Sequence, residues 1–280
     1  MATGEEKRRR AFLKWPGGKS RQAIRISRQL GRGTRLIEPF VGSGAVFLNS
    51  EYPDYLLADR NPDLITLYQV LLEEGESFIA TARELFTPDN NRAEAYYALR
   101  EEFNECRDRR RKSALFVYLN RHCFNGLCRY NSKGRFNTPF GRYRNPGFPE
   151  AAMRRFLELG RQATFRCSDY LETMEEAREG DVVYCDPPYV PLSETASFTS
   201  YAAGGFTWED QVRLAEKARE LARRGVRVAI SNHALPEVEK LYQGARLVRI
   251  QERRSISRNG AGRGMTEEIL ALFEPEGGAA

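Results

Sequence analysis

The chain has 280 residues, 41% of them hydrophobic and 29% charged, with a net charge of +6. That is long enough to bury a large core in one domain, or in a domain carrying an insertion. No apolar run approaches the ~18 residues of a membrane span, and the opening MATGEEKRRR is too polar for a secretory signal, so membrane and secreted classes are set aside and a cytoplasmic protein with no membrane partner is expected.

In chain order, the first stretch to raise a chemical question is Phe12-Leu-Lys-Trp-Pro-Gly-Gly-Lys-Ser20. It ends like a phosphate-binding loop. A Walker A motif would need glycine where Leu13 stands and a buried strand before it, so a nucleoside triphosphatase is disfavoured. Residues 35–38 (RLIE) form a short apolar run that predicts a buried strand, followed by Glu38-Pro-Phe-Val-Gly-Ser-Gly44. Glycines at 42 and 44 would let backbone approach a ligand closely, as in nucleotide-type cofactor loops, although a plain tight turn fits equally well. Residues 45–48 (AVFL) read as the start of a helix. Residues 55–58 predict a second strand, closed by Asp59 at the position from which such folds bind ribose hydroxyls.

Far more chain than a crossover needs then precedes the next strand. Residues 62–149 are therefore expected to be an inserted domain, with helices of its own such as 93–104, between a first catalytic part (1–61) and a second (150–280). Between Arg107 and Arg144 there are eleven Lys or Arg against one acid, Asp108, a local charge of +10 that leaves the rest of the chain at −4. Tyr118, Phe124, Tyr130, Phe136, Phe140 and Tyr143 interleave with these cations, a pattern that nucleic-acid surfaces share. The Arg-rich run 107–112 is the expected source of phosphate contacts. A merely solvated face is the simpler alternative.

The run 181–185 predicts another strand covered on both faces. Asp186-Pro-Pro-Tyr189 follows it. Pro187 and Pro188 donate no hydrogen bond and stiffen the residue before each of them, so their carbonyls stay available as acceptors. In an open α/β sheet, ligands bind outside the carboxyl ends of strands, and there Asp186 would stand beside rigid acceptors and an aromatic face. A flat ligand bearing an amino group suits that place. A cap or turn role for Asp186 and a core role for Tyr189 are the plainer alternatives. A helix should start at Thr207 as N-cap with Asp210 three residues on, and stop at Gly225. Residues 227–230, 246–251 and 268–273 predict further strands, the last two joined by a polar loop with Arg258, Asn259, Gly260, Gly262, Arg263 and Gly264 that is expected to be mobile. The five cysteines lack a CxxC pair and only two histidines accompany them, so reduced thiols and no metal site are expected.

PFVGSG, LLAD, FLKWPGGKS and above all DPPY, together with YLNR, FNGLCRYN and FNTPFGRYR in the insert, resemble the S-adenosylmethionine-dependent DNA adenine-N6 methyltransferases, and among them the GATC-directed Dam type. The resemblance spans nearly the whole chain. DPPY alone is shared with other amino methyltransferases, and the insert stretches make it specific. It implies an α/β fold with a mixed, mostly parallel, seven-stranded Rossmann-like methyltransferase sheet and a helical target-recognition domain inserted after the second strand. It also implies S-adenosylmethionine as cofactor, S-adenosylhomocysteine as product, no metal, double-stranded DNA as partner, a monomer, and DNA methylation of the kind tied to DNA replication and mismatch repair.

Carried over by motif, Trp15, Lys19, Glu38, Phe40, Gly42, Gly44, Asp59 and Asp186 would bind cofactor, and Asp186, Pro187, Pro188 and Tyr189 would carry the chemistry. Lys14 and Arg129 would touch base edges. Asn125, Leu127, Pro139 and Tyr143 would line the target site, and Phe124 would wedge into the duplex. Dam proteins often have tyrosine where Phe124 stands; stacking survives that change, a contact through the hydroxyl does not. His122-Cys123 and the run 107–112 also depart from the pattern.

The chemistry follows from the residues. An adenine inside a duplex must be extruded, and Tyr189 could stack on it. Its amine is a poor nucleophile until its two N–H groups bond the Asp186 carboxylate and the Pro187 carbonyl, which favours a tetrahedral nitrogen and frees the lone pair. Methylation of a glutamine amide or of cytosine N4 usually accompanies Asn-Pro-Pro-Tyr or Ser-Pro-Pro-Tyr, so aspartate favours adenine. A DNA-binding protein without catalysis would explain the basic insert but leave Gly42, Gly44, Asp59 and DPPY without a task.

Overall fold

The computed structural model describes residues 8–190, 205–253 and 265–275. Seven strands form one sheet: β1 (Arg35–Glu38), β2 (Asp54–Asp59), β3 (Ala163–Cys167), β4 (Val182–Cys185), β5 (Arg227–His233), β6 (Arg246–Arg253) and β7 (Met265–Phe273), in the order β3-β2-β1-β4-β5-β7-β6. β1 pairs in parallel with β2 and β4, and β4 with β5, whereas β7 runs antiparallel to both β5 and β6. The sheet is thus mixed and mostly parallel, as expected. All four residues of β4 are buried, which is why it reads as an unbroken apolar run rather than an alternating one. Between β1 and β4 the strand order reverses, the place where α/β sheets bind ligands. Glu38 and Asp59 end β1 and β2 there, and Asp186 follows β4.

The helices are α1 (Ala23–Leu30), α2 (Pro62–Glu74), α3 (Glu76–Arg83), α4 (Ala93–Glu105), α5 (Arg109–His122), α6 (Glu150–Gly160), α7 (Tyr170–Glu175), α8 (Trp208–Arg223) and α9 (Pro236–Leu241). α8 begins as its sequence requires. The Thr207 side chain accepts from Asp210 N, and the Asp210 carboxylate accepts from Thr207 N in return. Residues 45–48 do not start an α-helix: a single 3-10 turn covers Phe47–Asn49 and ends at extended Ser50. β3 carried no readable signal, since only Phe165 of its five residues is buried. Asp181 stands just before β4, where it accepts from Thr34 Oγ1 (2.9 Å), Arg35 (2.7 Å) and Arg178 N (3.0 Å). The predicted loop 258–264 lies outside the described residues.

The chain divides into two units: one of residues up to Arg28 with Val41–Glu51 and Asp59–Cys167, the other of Gln29–Phe40, Tyr52–Ala58 and everything from Ser168 on. In the first, α5 is buried along most of its length from Ser113 to His122, enclosed by α2, α3 and α4. The same unit holds an aromatic cluster, with Tyr68 stacked on Phe156 at 4.5 Å and Phe12 edge-on to both rings. In the second unit, Ile37, Val183, Cys185, Leu214, Ala218 and Ile269 belong to one core between sheet and helices.

His122 adds a pH dependence to the first unit. Its ring stacks on Tyr118 at 4.0 Å, and Nδ1 shares a hydrogen bond with the Tyr118 carbonyl at 2.9 Å. Burial pulls its pKa from 6.5 down to about 4. Between those values the unfolded chain takes a proton that the folded one refuses, so stability from the neutral, buried ring is complete above 6.5 and declines as pH falls toward 4. His122→Gln should flatten this part of a melting-temperature curve recorded by circular dichroism against pH. A slope that the substitution leaves intact would assign the acid sensitivity to other groups.

Candidate functional site

In the first unit, Trp15 to Lys19 folds into a turn: Gly18 N donates to Trp15 O at 3.1 Å, Gly17 takes a φ of +72°, and buried Lys19 donates from Nζ to Gly17 O at 3.0 Å. The Trp15 indole lies against Gly42. A Cβ on Gly42 would come within 2.7 Å of the indole nitrogen, and the φ of +47° is itself one that side chains avoid. Gly42 N donates to Asp59 Oδ2 at 3.1 Å, while its carbonyl accepts from Tyr68 at 2.6 Å. Gly44 (φ +69°) closes the loop by donating to Val41 O at 2.8 Å. The two glycines thus make room for the Trp15 indole and for the Phe47 and Phe156 rings, and they let the loop close tightly beside Asp59. Asp59 Oδ1 accepts from Asn61 N at 3.0 Å, and burial raises its carboxyl pKa even against these backbone donors. Both of its oxygens therefore already hold backbone, and a ribose would meet the remaining lone pairs.

Glu38, Phe40 and the DPPY segment belong to the second unit. Glu38 is buried, and Phe40 stacks on Tyr170 at 5.4 Å with Phe206 edge-on at 5.6 Å. Asp186 and Tyr189 are half-buried, Pro187 is buried and Pro188 exposed. The Tyr189 hydroxyl donates to Glu268 Oε2 at 3.2 Å, and its ring meets His233 edge-on at 4.8 Å. Burial, then the charges of Asp186 and Glu268, push this phenol well above its ordinary pKa, so it stays a donor. Pro188 O accepts from Gln211 Nε2 at 2.9 Å, and Val190 N donates to Asn232 Oδ1 at 3.3 Å. Among the described residues nothing donates to the Pro187 carbonyl. Cys185 is fully buried and its thiol pKa is driven up by burial and by Asp186, so it is packing and not a nucleophile.

The residues assigned to DNA collect in the first unit around residues 123–143. Lys14 is tied to Asn120, whose Oδ1 accepts from Lys14 N (2.8 Å) and whose Nδ2 donates to Lys14 O (2.7 Å). The Lys14 ammonium donates to Arg121 O at 3.2 Å and sits 4.0 Å from the Tyr143 ring centre; burial, then Arg121, pulls its pKa down. Asn125, at φ +53°, donates its N–H to the Tyr143 hydroxyl at 2.9 Å. Phe124 is 49% exposed, an unusual state for phenylalanine. Its N–H donates to the carbonyl of exposed Pro139 at 2.8 Å, and half-buried Leu127 accepts from Thr138 Oγ1 at 2.7 Å. Exposed Arg129 donates from Nε to Asn137 Oδ1 at 2.7 Å and from one terminal nitrogen to Asn137 O at 3.3 Å, leaving the outer edge of its fork open.

The Arg-rich run departs from expectation. Arg109 pairs with Glu73, Arg110 with Glu74, Arg111 with Glu102 and Lys112 with Asp63. Acids from α2 and α4 neutralise the start of α5, so the run holds helices together instead of standing bare toward phosphates. Lys133, Arg142 and Arg144 are exposed and unpaired among the described residues. The available positive charge has therefore moved to the loops.

Sequence reasoning missed Tyr68, Asn120, Gln211, Asn232 and Glu268. Asn120 lay inside YLNR, and Asn232 is the polar break after the apolar run of β5, so both left a trace; Gln211 and Glu268 look like ordinary polar positions of a helix and a strand. Among the described residues no group of three or more His, Cys, Asp or Glu comes together to hold a metal, and no helix is long and apolar enough to cross a membrane.

A family model described as "D12 class N6 adenine-specific DNA methyltransferase" matches residues 15–256. Curated relatives include a DNA adenine methylase of Vibrio cholerae, 51% identical over 270 residues that cover 96% of this chain and 98% of that one. One of Escherichia coli K12 is 50% identical over 269 residues (96% and 97%), and one of Serratia marcescens 50% over 268 (95% and 99%).

Proposed function

Since this chain belongs to the D12 class of N6 adenine-specific DNA methyltransferases, we propose that it moves the methyl group of S-adenosylmethionine onto N6 of an adenine rotated out of double-stranded DNA, within GATC. The observation that carries the mechanism is the end of β4, where the Asp186 carboxylate and the undonated Pro187 carbonyl stand on a proline-stiffened backbone. When bound, S-adenosylmethionine supplies a methyl group made electrophilic by its sulfonium. Asp186 and Pro187 accept hydrogen bonds from the two amine N–H groups and turn the nitrogen lone pair out of the ring; the methylated nitrogen then gives up one proton as S-adenosylhomocysteine leaves, and both acceptors are in place before substrate arrives, which is where preorganised electrostatics gains its advantage over water. Tyr189 offers its ring to the extruded base. The cofactor-binding residues of the first unit are Trp15, Lys19, Gly42, Gly44 and Asp59; those of the second are Glu38, Phe40 and Asp186.

Residues 62–149 serve as the target-recognition part, with 1–61 and 150–280 as the catalytic parts. Phe124 is exposed because its partner is the base stack it wedges into. Arg129 reads a guanine through the open edge of its fork. Arg129→Ala should therefore lower kcat/KM on GATC while near-cognate sites with one guanine pair replaced lose little, a loss of discrimination of about 1–3 kcal/mol at one base pair. Equal losses on all single-substitution duplexes would show that Arg129 positions the loop without reading a base. The reading as a whole is tested by methylating a duplex pool that contains every tetranucleotide and mapping the modified base. N6-methyladenine confined to GATC is expected; N4-methylcytosine, or adenine methylation without sequence preference, would overturn it.

A further inference from the structure

The tyrosine of DPPY is gripped from behind by residues that no motif contains. On its amino side, the Pro188 carbonyl accepts from Gln211 Nε2 at 2.9 Å; on its carboxyl side, Val190 N donates to Asn232 Oδ1 at 3.3 Å. The two amides are joined, Asn232 Nδ2 donating to Gln211 Oε1 at 3.1 Å and to the Tyr242 hydroxyl at 3.0 Å, and Asn232 Oδ1 also accepts from His233 N at 2.9 Å. Gln211 is 3% exposed, and Asn232 and Tyr242 are wholly buried. Burying two carboxamides is costly unless their groups are bonded, and here the bonds converge on the backbone flanking a single residue.

We propose that Gln211 and Asn232 are positioning residues that fix Tyr189 as a rigid platform for the extruded base, with Glu268 holding the hydroxyl of the same ring. Every restraint acts on Tyr189 itself: its two flanking peptide groups, its ring edge through His233 and its hydroxyl. None of the side chains in the clamp needs to touch substrate. The geometry explains why Gln211 lies one helical turn inside α8: the Thr207–Asp210 capping box fixes the start of that helix, and with it the reach of the Gln211 amide. This inference rests on the reading of Tyr189 as the surface that receives the base.

The test uses the full chain with Gln211→Met, which keeps the volume and removes both hydrogen-bonding groups. Single-turnover methyl transfer to adenine should slow at least about tenfold through misplaced reacting groups, with affinity for S-adenosylhomocysteine and for DNA unchanged. Amide exchange at Val190, followed by mass spectrometry on the protein alone, should become faster. Should that variant not fold, Gln211→Glu keeps the acceptor used by Asn232 and removes the donor to Pro188 at neutral pH, with the same outcome expected. An unchanged transfer rate, unchanged Val190 protection, or a loss of cofactor affinity that accounts for the slower rate overturns the proposal. If instead the wild-type chain methylates no adenine, the functional reading fails, and Val190 exchange still decides whether the clamp exists.

Discussion

Asp186→Ala should abolish methyl transfer while DNA binding largely persists. The carboxylate is half-buried at the end of β4, so its loss removes an acceptor from a site where water is a poor substitute. Removing one preorganised group that stabilises developing charge costs about 10²–10³ in kcat. Here the group also orients the amine, so the larger figure is the expected one. Asp186→Asn keeps an acceptor oxygen and should fall less far. DNA affinity is expected from cations that face phosphates, and the exposed loop residues Lys133, Arg142 and Arg144 offered for that role are remote in sequence from position 186. Single-turnover transfer of labelled methyl groups, beside fluorescence anisotropy on a labelled duplex, separates the two effects. Activity within about tenfold of wild type would leave Asp186 without the role claimed for it.

Gly42→Ala should remove cofactor binding while the chain still folds. The new methyl group would stand 2.7 Å from the Trp15 indole nitrogen at a φ of +47°, so either the indole or the loop must move. Moving the loop breaks the bonds from Gly42 N to Asp59 and from Tyr68 to the Gly42 carbonyl, and it releases a buried carboxylate from one of its donors. Gly17→Ala is the control. Gly17 has a φ of +72° but nothing within 4 Å of the added atom, so it should show only the left-handed backbone penalty of about 1–2 kcal/mol. Calorimetric titration with S-adenosylhomocysteine, paired with thermal melts, should show an affinity loss of tenfold or more (roughly 1.4 kcal/mol) for Gly42→Ala, and destabilisation with near-normal affinity for Gly17→Ala. Equal affinity losses in both would mean that strain, and not the room left for the indole, governs binding.

These two predictions rest on residues that local sequence exposes. Strand β1 and the start of α8 were readable because each is decided by its own neighbours: an apolar run with a polar stop, and a threonine with an acid three residues on. DPPY and the glycine loop were readable for the same reason, since proline and glycine constrain the backbone wherever they fall. Residues 45–48 misled because the apolar pattern reports burial and not conformation; Phe47 is buried against Phe156 and Phe165 without needing a helix. β3 stayed hidden because an edge strand with one buried side chain has no periodicity to detect. The Arg-rich run misled through distance along the chain. Glu73 lies far upstream of Arg109, and only the packing of α2 against α5 shows that the charge is matched. Gln211, Asn232 and Glu268 were illegible for the same reason: each is an ordinary polar residue until α8, β5 and β7 bring it to Tyr189.

The position of β7 between β5 and β6 also sets the order in which a newly made chain can finish folding. β6 is synthesised before β7 yet, among the described residues, pairs with no other strand, and β7 is also the second neighbour of β5. While the ribosome is still adding residues beyond β6, that strand has no partner and the side of β5 away from β4 is an open row of amides and carbonyls, the kind of edge to which another chain can add. Growth of the polypeptide in the N-to-C direction therefore leaves that edge open until β7 has been made. A transcript cut short between the codons for β6 and β7 would yield a chain arrested in that state.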